Sequence, residues 1–287
     1  MIARTLRSSH FKTNSGTNTH YLQAGDSSGP LLICLHGLGG STETFSPLVP
    51  SLPPTYNIIL VDFPGYGKTP LAGVTKPLSV EGLVVDLADL ITSFQASSNS
   101  SASSKVVIVG HSLGAIIALQ YAARHPQSTA GLLLLGPGRA AGHIPAVRQR
   151  MLDLAAAVRK EGIKYAADIA AKSNFYDDSQ DRTVNLAARE AVRLDVSSAD
   201  PEAYAQTCEA IVDSSHKDPR YQAITCPVVF VAGDKDMISP VQRSQDISAS
   251  VGGRSCVHVV KSGHQPILED LPGVEKAAQQ LMEAIVE

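Results

Sequence analysis

Gly110-His111-Ser112-Leu113-Gly114 is the stretch of this chain whose residue types and spacing speak most directly of chemistry. A serine hydroxyl is a weak nucleophile until a base takes its proton, and then it can attack a carbonyl carbon and carry the acyl group. The setting separates this pentapeptide from an ordinary turn. Val106-Val107-Ile108-Val109 is a short β-branched run of the kind expected for a strand buried on both faces. After the turn, Ala115, Ile116, Ala118, Leu119, Ala122 and Ala123 supply helix formers and an apolar face, and His125-Pro126 stops the helix. The order is strand, tight turn, helix. Gly110 and Gly114 are required sterically, because the main chain there passes too close to its neighbours for a Cβ.

A serine held proud of a sheet edge on such a turn resembles the nucleophile elbow of the α/β-hydrolase family. Other marks of that family can be placed residue by residue. Upstream, the apolar run Pro30 to Leu35 leads into His36-Gly37-Leu38-Gly39-Gly40, which is similar to the family's oxyanion loop. The resemblance implies that the amides of Leu38 and Leu113 bind a developing oxyanion, with His36, Gly37 and Gly39 shaping the loop. Neither Gly-x-Gly-x-x-Gly nor a Gly-Lys-Ser/Thr ending is present, which argues against a nucleotide loop. After the strand Asn57 to Val61 comes Asp62-Phe63-Pro64-Gly65-Tyr66-Gly67-Lys68. Asp62 precedes the nucleophile, whereas the family's chain order is Ser, acid, His, so its expected role is to accept hydrogen bonds from the turn's amides.

The resemblance also implies the acid and the base. Cys226 to Ala232 reads as a late strand, followed by Gly233-Asp234-Lys235-Asp236 and, beyond it, Pro240. The family's Gly-x-x-Asp pattern selects Asp236 and leaves Asp234 as a turn neighbour. The loop after the sixth strand, Gly136-Pro137-Gly138, has no carboxylate to offer. Among nine histidines, His36 and His111 sit inside motifs where the family braces loops, and His125 ends a helix. His10, His20, His143 and His216 have no motif, and His258 falls within the last strand. His264, in Ser262-Gly263-His264-Gln265-Pro266 with Glu269 and Pro272 following, resembles the family's catalytic histidine loop. In such a set the imidazole takes the serine proton, the carboxylate orients the imidazole, and two amides hold the tetrahedral oxyanion.

Composition limits the partners. A chain of 287 residues with 44% apolar content and a net charge of −3 has room for a catalytic unit with an insertion. The lack of a basic cluster argues against nucleic acid or an anionic membrane surface. No stretch approaches a membrane span, and Met1 to Ser9 lack the apolar core of a signal peptide, so a cytoplasmic protein is expected. Cys34, Cys226 and Cys256 fall on expected strands and Cys208 in a helical stretch, as reduced thiols. No spacing points to a metal or a cofactor, and the acceptor pattern at Asn99 reads as chance. The expected partner is a small-molecule substrate; the oligomeric state is open.

The elements that position these residues follow an α/β order. Ile2 to Ser9 and Thr19 to Ala24 are expected as an antiparallel hairpin, followed by βαβ units. Ser79 caps a helix whose stripe is Val80, Leu83, Val84, Leu87, Leu90, Ile91 and Phe94, and the serine run from Ala96 to Ser104 reads as an exposed loop. Helix formers dominate at Ile144 to Lys160, Lys164 to Ala171, Asn185 to Leu194 and Pro201 to Val212. The expected fold is a mostly parallel eight-stranded α/β-hydrolase sheet flanked by helices. Its core comprises residues 1–137 and 223–287, and residues 138–222 form a helical cap between strands six and seven.

The layout resembles the 3-oxoadipate enol-lactonase and small carboxylesterase branch, which implies hydrolysis of a small ester or lactone through an acyl-enzyme. Carbon–carbon hydrolysis of β-diketone-type substrates, thioester cleavage and a slow-turnover receptor use the same residues and stay open. Which of Met151, Phe175, Tyr176 and Tyr204 face a substrate is not legible.

Overall fold

The computed structural model describes residues 5–74, 76–97, 105–179 and 181–286. The first two strands, β1 (Arg7–Lys12) and β2 (Asn18–Gly25), are polar or alternating and form an edge hairpin, while β3 (Leu31–Leu35) and β4 (Asn57–Val61) are apolar runs bounded by turn residues. Helix α1 (Val80–Ser97) follows, its first turn satisfied by the Ser79 hydroxyl, which accepts from the Gly82 N–H at 3.0 Å. Then come β5 (Val106–His111), α2 (Leu113–Arg124) and β6 (Thr129–Leu135). Four helices intervene: α3 (Pro145–Glu161), α4 (Ile163–Ser173), α5 (Leu186–Ser197) and α6 (Pro201–Ile211). The chain closes with β7 (Val228–Gly233), α7 (Val241–Ser248), β8 (Ser255–Val260), α8 (Pro266–Glu269) and α9 (Leu271–Val286).

The strands make one eight-stranded sheet in the order β1-β2-β4-β3-β5-β6-β7-β8. β2 runs antiparallel to β1 and β4, and every other pair is parallel. Residues of β3, β4, β5 and β7 are buried throughout, as expected of parallel strands covered on both faces. Alternate residues go to opposite layers. Leu31, Ile33 and Leu35 join Leu83, Leu87, Ile117 and Tyr121 on one side, while Leu32 and Cys34 join Phe45, Leu48, Val274 and Leu281 on the other. Ala155, Val158, Ala166, Val192 and Ala203, from the helices between β6 and β7, belong to the first of these clusters.

Of the expected first strand, Ile2 to Arg4 lie outside the described residues; among those described, β1 begins at Arg7, which pairs with Gln23, and runs past Ser9 to Lys12. Cys226 lies two residues before β7, outside the strand on which it was expected. Most of the serine run, and Asn99 with it, falls outside the described residues. Among the described residues, no helix is long and apolar enough to cross a membrane.

The chain leaves β3 for β4 on one side and then returns to β5 on the other. Strand ends beside such a reversal leave a crevice at the carboxyl edge of an open α/β sheet. The loops after β3, β5, β6, β7 and β8 all open on that edge, and they carry His36, Ser112, Gly136, Asp236 and His264.

Candidate active site

Ser112 is held in a conformation that only its surroundings can maintain. Its φ of 51° makes it the one non-glycine residue with positive φ among the described residues. The Ser112 N–H donates to the Leu135 carbonyl at 2.9 Å, which ties the turn to β6. Both flanking glycines are forced: a Cβ on Gly110 would stand 2.6 Å from the Gly114 oxygen, and one on Gly114 would stand 2.0 Å from the Leu35 oxygen. Leu113 opens α2, where amides lack intrahelical acceptors.

His264 and Asp236 arrive from the far side of the sheet. Gly136, at the end of β6, packs between them, so that a Cβ there would lie 3.1 Å from the His264 ring and 3.2 Å from Asp236 Oδ2. The Asp236 carboxylate accepts from the amides of Ile238 and Ser239 at 2.8 Å each, and through Oδ2 it faces His264 Nδ1 at 2.7 Å. Burial pushes this carboxyl up, but the His264 ring and those two amides pull harder and leave it below its ordinary value. An ionised Asp236 places the imidazole proton on Nδ1. Nε2 is then the acceptor for the Ser112 hydroxyl, 2.9 Å away. The three residues stand in one hydrogen-bonded line.

The glycine loop after β3 is fixed by His36. Its Nδ1 donates to the Gly37 carbonyl at 2.7 Å, and its Nε2 accepts from the Phe63 N–H at 3.0 Å. Burial lowers the His36 pKa against the opposing pull of Asp62, consistent with a neutral ring. Gly37 lies against the nucleophile: a Cβ there would be 3.1 Å from Ser112 Cβ. Gly39, with φ of 78°, faces Val196 and Tyr204. His111 is pushed down to about 3 by burial and then by His264, so it is neutral and donates through Nε2 to the His264 carbonyl at 2.7 Å.

Asp62 fills the turn role expected of it, while its further partners and several other supporting contacts were not legible in advance. Asp62 accepts from the amides of Lys68 and Thr42, at 3.0 and 2.6 Å, and also meets His20 Nδ1 at 2.7 Å. His20 is therefore the buried partner of Asp62, a role without a motif. The His264 N–H donates to the Asn174 carbonyl at 2.7 Å, and Arg182 grips both oxygens of Asp234 through its two terminal guanidinium nitrogens, each at 2.7 Å. The segment between α4 and α5 thus holds both late loops. Glu269 accepts from the amides of Gly263 and Gln265, on either side of His264, at 2.9 and 3.4 Å, and burial pushes its carboxyl up to about 7.

A cavity of about 350 Å³ adjoins this line of residues. Its walls are Gly37 to Gly40, Glu43 and Thr44, the α5 residues Ala191, Val192, Leu194, Asp195 and Val196, and Gln265 to Leu268. It reaches His111 and Leu38, the neighbours of Ser112 in chain and space, and the residues on either side of Ser112 and His264, His111 and Gln265, line it while Ser112 and His264 themselves do not. Met151, Phe175, Tyr176 and Tyr204 do not line it.

The chain matches the family described as alpha/beta hydrolase fold over residues 30–271. Among curated relatives, the pimeloyl-[acyl-carrier protein] methyl ester esterase of Neisseria meningitidis serogroup C is 26% identical over 244 residues, covering 82% of this chain and 86% of that protein. The protein of the same name from Aromatoleum aromaticum is 26% identical over 254 residues, covering 83% and 92%. Of solved structures, a thermophilic esterase from Thermogutta terrifontis superposes with a TM-score of 0.83 at 21% identity, over 97% of this chain and 99% of that one. The enol-lactonase from Burkholderia xenovorans LB400 does so with 0.79 at 21% identity, over 96% and 100%. At that identity the likeness carries the fold.

Proposed function

The chain belongs to the α/β-hydrolase family, and from that premise we propose that it is a serine hydrolase cleaving a small carboxylic ester or lactone through an acyl-enzyme on Ser112. The observation that supports this most is the line Asp236–His264–Ser112, 2.7 and 2.9 Å between partners, ending on a serine at positive φ. His264 Nε2 takes the Ser112 proton as Oγ attacks the ester carbon, and the ionised Asp236 stabilises the imidazolium that forms. The amides of Leu38 and Leu113 bind the oxyanion. The imidazolium then protonates the leaving oxygen, and water, activated by the same ring, releases the acid.

In this reading residues 1–137 and 223–287 are the catalytic core, and residues 138–222 are a cap that limits water and shapes the pocket. Rapid mixing with a short-chain p-nitrophenyl ester tests it. A burst of about one equivalent followed by steady turnover, lost in Ser112→Ala, is expected. Turnover of the ester by Ser112→Ala at the wild-type rate would remove Ser112 from the mechanism.

A further inference from the structure

The cavity beside Ser112 shares two walls with the reacting groups. One is the loop Gly37 to Gly40, in contact with Ser112 through Gly37 and carrying the Leu38 amide. The other is Gln265 to Leu268, which follows His264 directly. If Ser112 works as proposed, the ester's alcohol oxygen leaves toward the proton on His264 Nε2, so the alcohol arm must stand on the histidine's side of the carbonyl. We propose that this cavity receives the alcohol arm, and that Glu43 and Asp195 restrict the arm to uncharged or cationic groups and exclude anionic ones.

The charge of the walls carries the second half of this assignment. Among the described residues, no lysine or arginine lines the cavity, and Glu43 and Asp195 are the lining side chains with formal charge at neutral pH. His111, the remaining titratable group on the wall, is neutral. Asp195 projects from α5 and is half-buried, bonded to Ser41, with Asp62 and Glu43 as its negative neighbours. Burial first, and then those two charges, push its carboxyl up to about 6. It is still ionised at neutral pH, and the groups acting on it supply no cation. Glu43 lies at the exposed mouth and accepts from the Ser46 hydroxyl at 3.1 Å. Leu38, Val192, Val196 and Ile267 supply apolar surface for an alkyl group. An anionic arm would bring a third negative charge into partly desolvated surroundings, where like charges are weakly screened.

The test compares acetates of three alcohols of similar size: 3,3-dimethylbutanol, its cationic isostere choline, and 4-hydroxybutanoate. A second series, methyl pentanoate against monomethyl glutarate, puts the negative charge on the acyl arm. kcat/KM is measured at pH 8 for the wild type, Asp195→Asn, the double variant Glu43→Gln with Asp195→Asn, and Ser112→Ala. The expected result is an anionic acetate about tenfold or more below the neutral one, with the choline ester not disfavoured. The anionic-to-neutral ratio should rise about fivefold or more in the double variant, with a smaller change in the acyl series. A ratio that is the same in the wild type and the double variant, or one that responds in the acyl series alone, overturns the assignment. Ser112-dependent cleavage that ignores alcohol charge overturns this subsite alone. Absence of Ser112-dependent cleavage of every ester, p-nitrophenyl acetate included, overturns the hydrolase reading and the subsite with it.

Discussion

Asp234 and Asp236 stand two residues apart on one loop, yet they have different partners. Asp236 is buried against the His264 ring, with its remaining oxygen taken by two amides. Asp234 faces outward to the Arg182 fork, a pair whose side chains are 22% and 31% exposed. Asp236→Asn should therefore cost about 10⁴ in kcat, because the amide presents the wrong tautomer of the imidazole to the serine. Asp234→Asn should leave kcat nearly unchanged and cost about 1 kcal/mol or less of stability, as expected of a partly exposed ion pair. Steady-state kinetics and thermal unfolding of the two variants, side by side, check the assignment; the reverse pattern moves the acid to Asp234. Ser112→Ala should lose on the order of 10⁴-fold or more in kcat with its melting temperature kept, because the turn depends on its glycines rather than on the hydroxyl.

The strand-turn-helix unit around Ser112 was legible in the sequence because every level agrees there. A β-branched run, two glycines and a helix-forming run each point to the same local structure. β4 begins and ends at the expected residues for the same reason, an apolar run between turn residues. The four helices between β6 and β7 were legible from helix formers, whereas the cap at Asp200, which accepts from the amides of Glu202 and Ala203 at 2.9 and 3.0 Å, emerges from the structure. What the elements do to each other was not. His20 meets Asp62 across 42 positions, and Asn174 holds His264 through a backbone carbonyl that any residue type would supply. Position 195 reads as one more polar residue on a surface helix until α5 is laid over Ser41. A close contact between elements is the approach of α2 to β3 at Gly114. A valine there would place Cβ 2.0 Å from the Leu35 oxygen, a backbone atom that cannot rotate away. Gly114→Val should consequently fail to reach a cooperative fold, or unfold at a much lower temperature, as read by thermal melting. A normal melting curve would mean that α2 and β3 can separate.

The helices between β6 and β7 and the strand-end loops meet through groups whose charge depends on pH, so the attachment of one to the other should respond to pH as a whole. Asp195 is the clearest case, lying on α5 against Ser41 with Asp62 and Glu43 as negative neighbours. Its folded-state pKa of about 6 lies above the 3.8 ordinary for aspartate. A carboxyl raised on folding contributes its full stability below the unfolded value, where it is neutral in both states. That contribution is lost as pH rises through the folded value, because the folded protein must then ionise a half-buried group beside two other carboxylates. A shift of this size corresponds to at most about 3 kcal/mol, reduced by the solvent that reaches the site. Asp195→Asn keeps a side chain able to bond Ser41 but has no proton to lose. Its melting temperature relative to the wild type should consequently rise between pH 4 and pH 8, with most of the change between the unfolded and folded values, from about pH 4 to about pH 6. A difference that stays flat across that range would mean that Asp195 ionises in the folded protein as freely as in water. The contact between α5 and Ser41 would then not be where the molecule stores its sensitivity to pH.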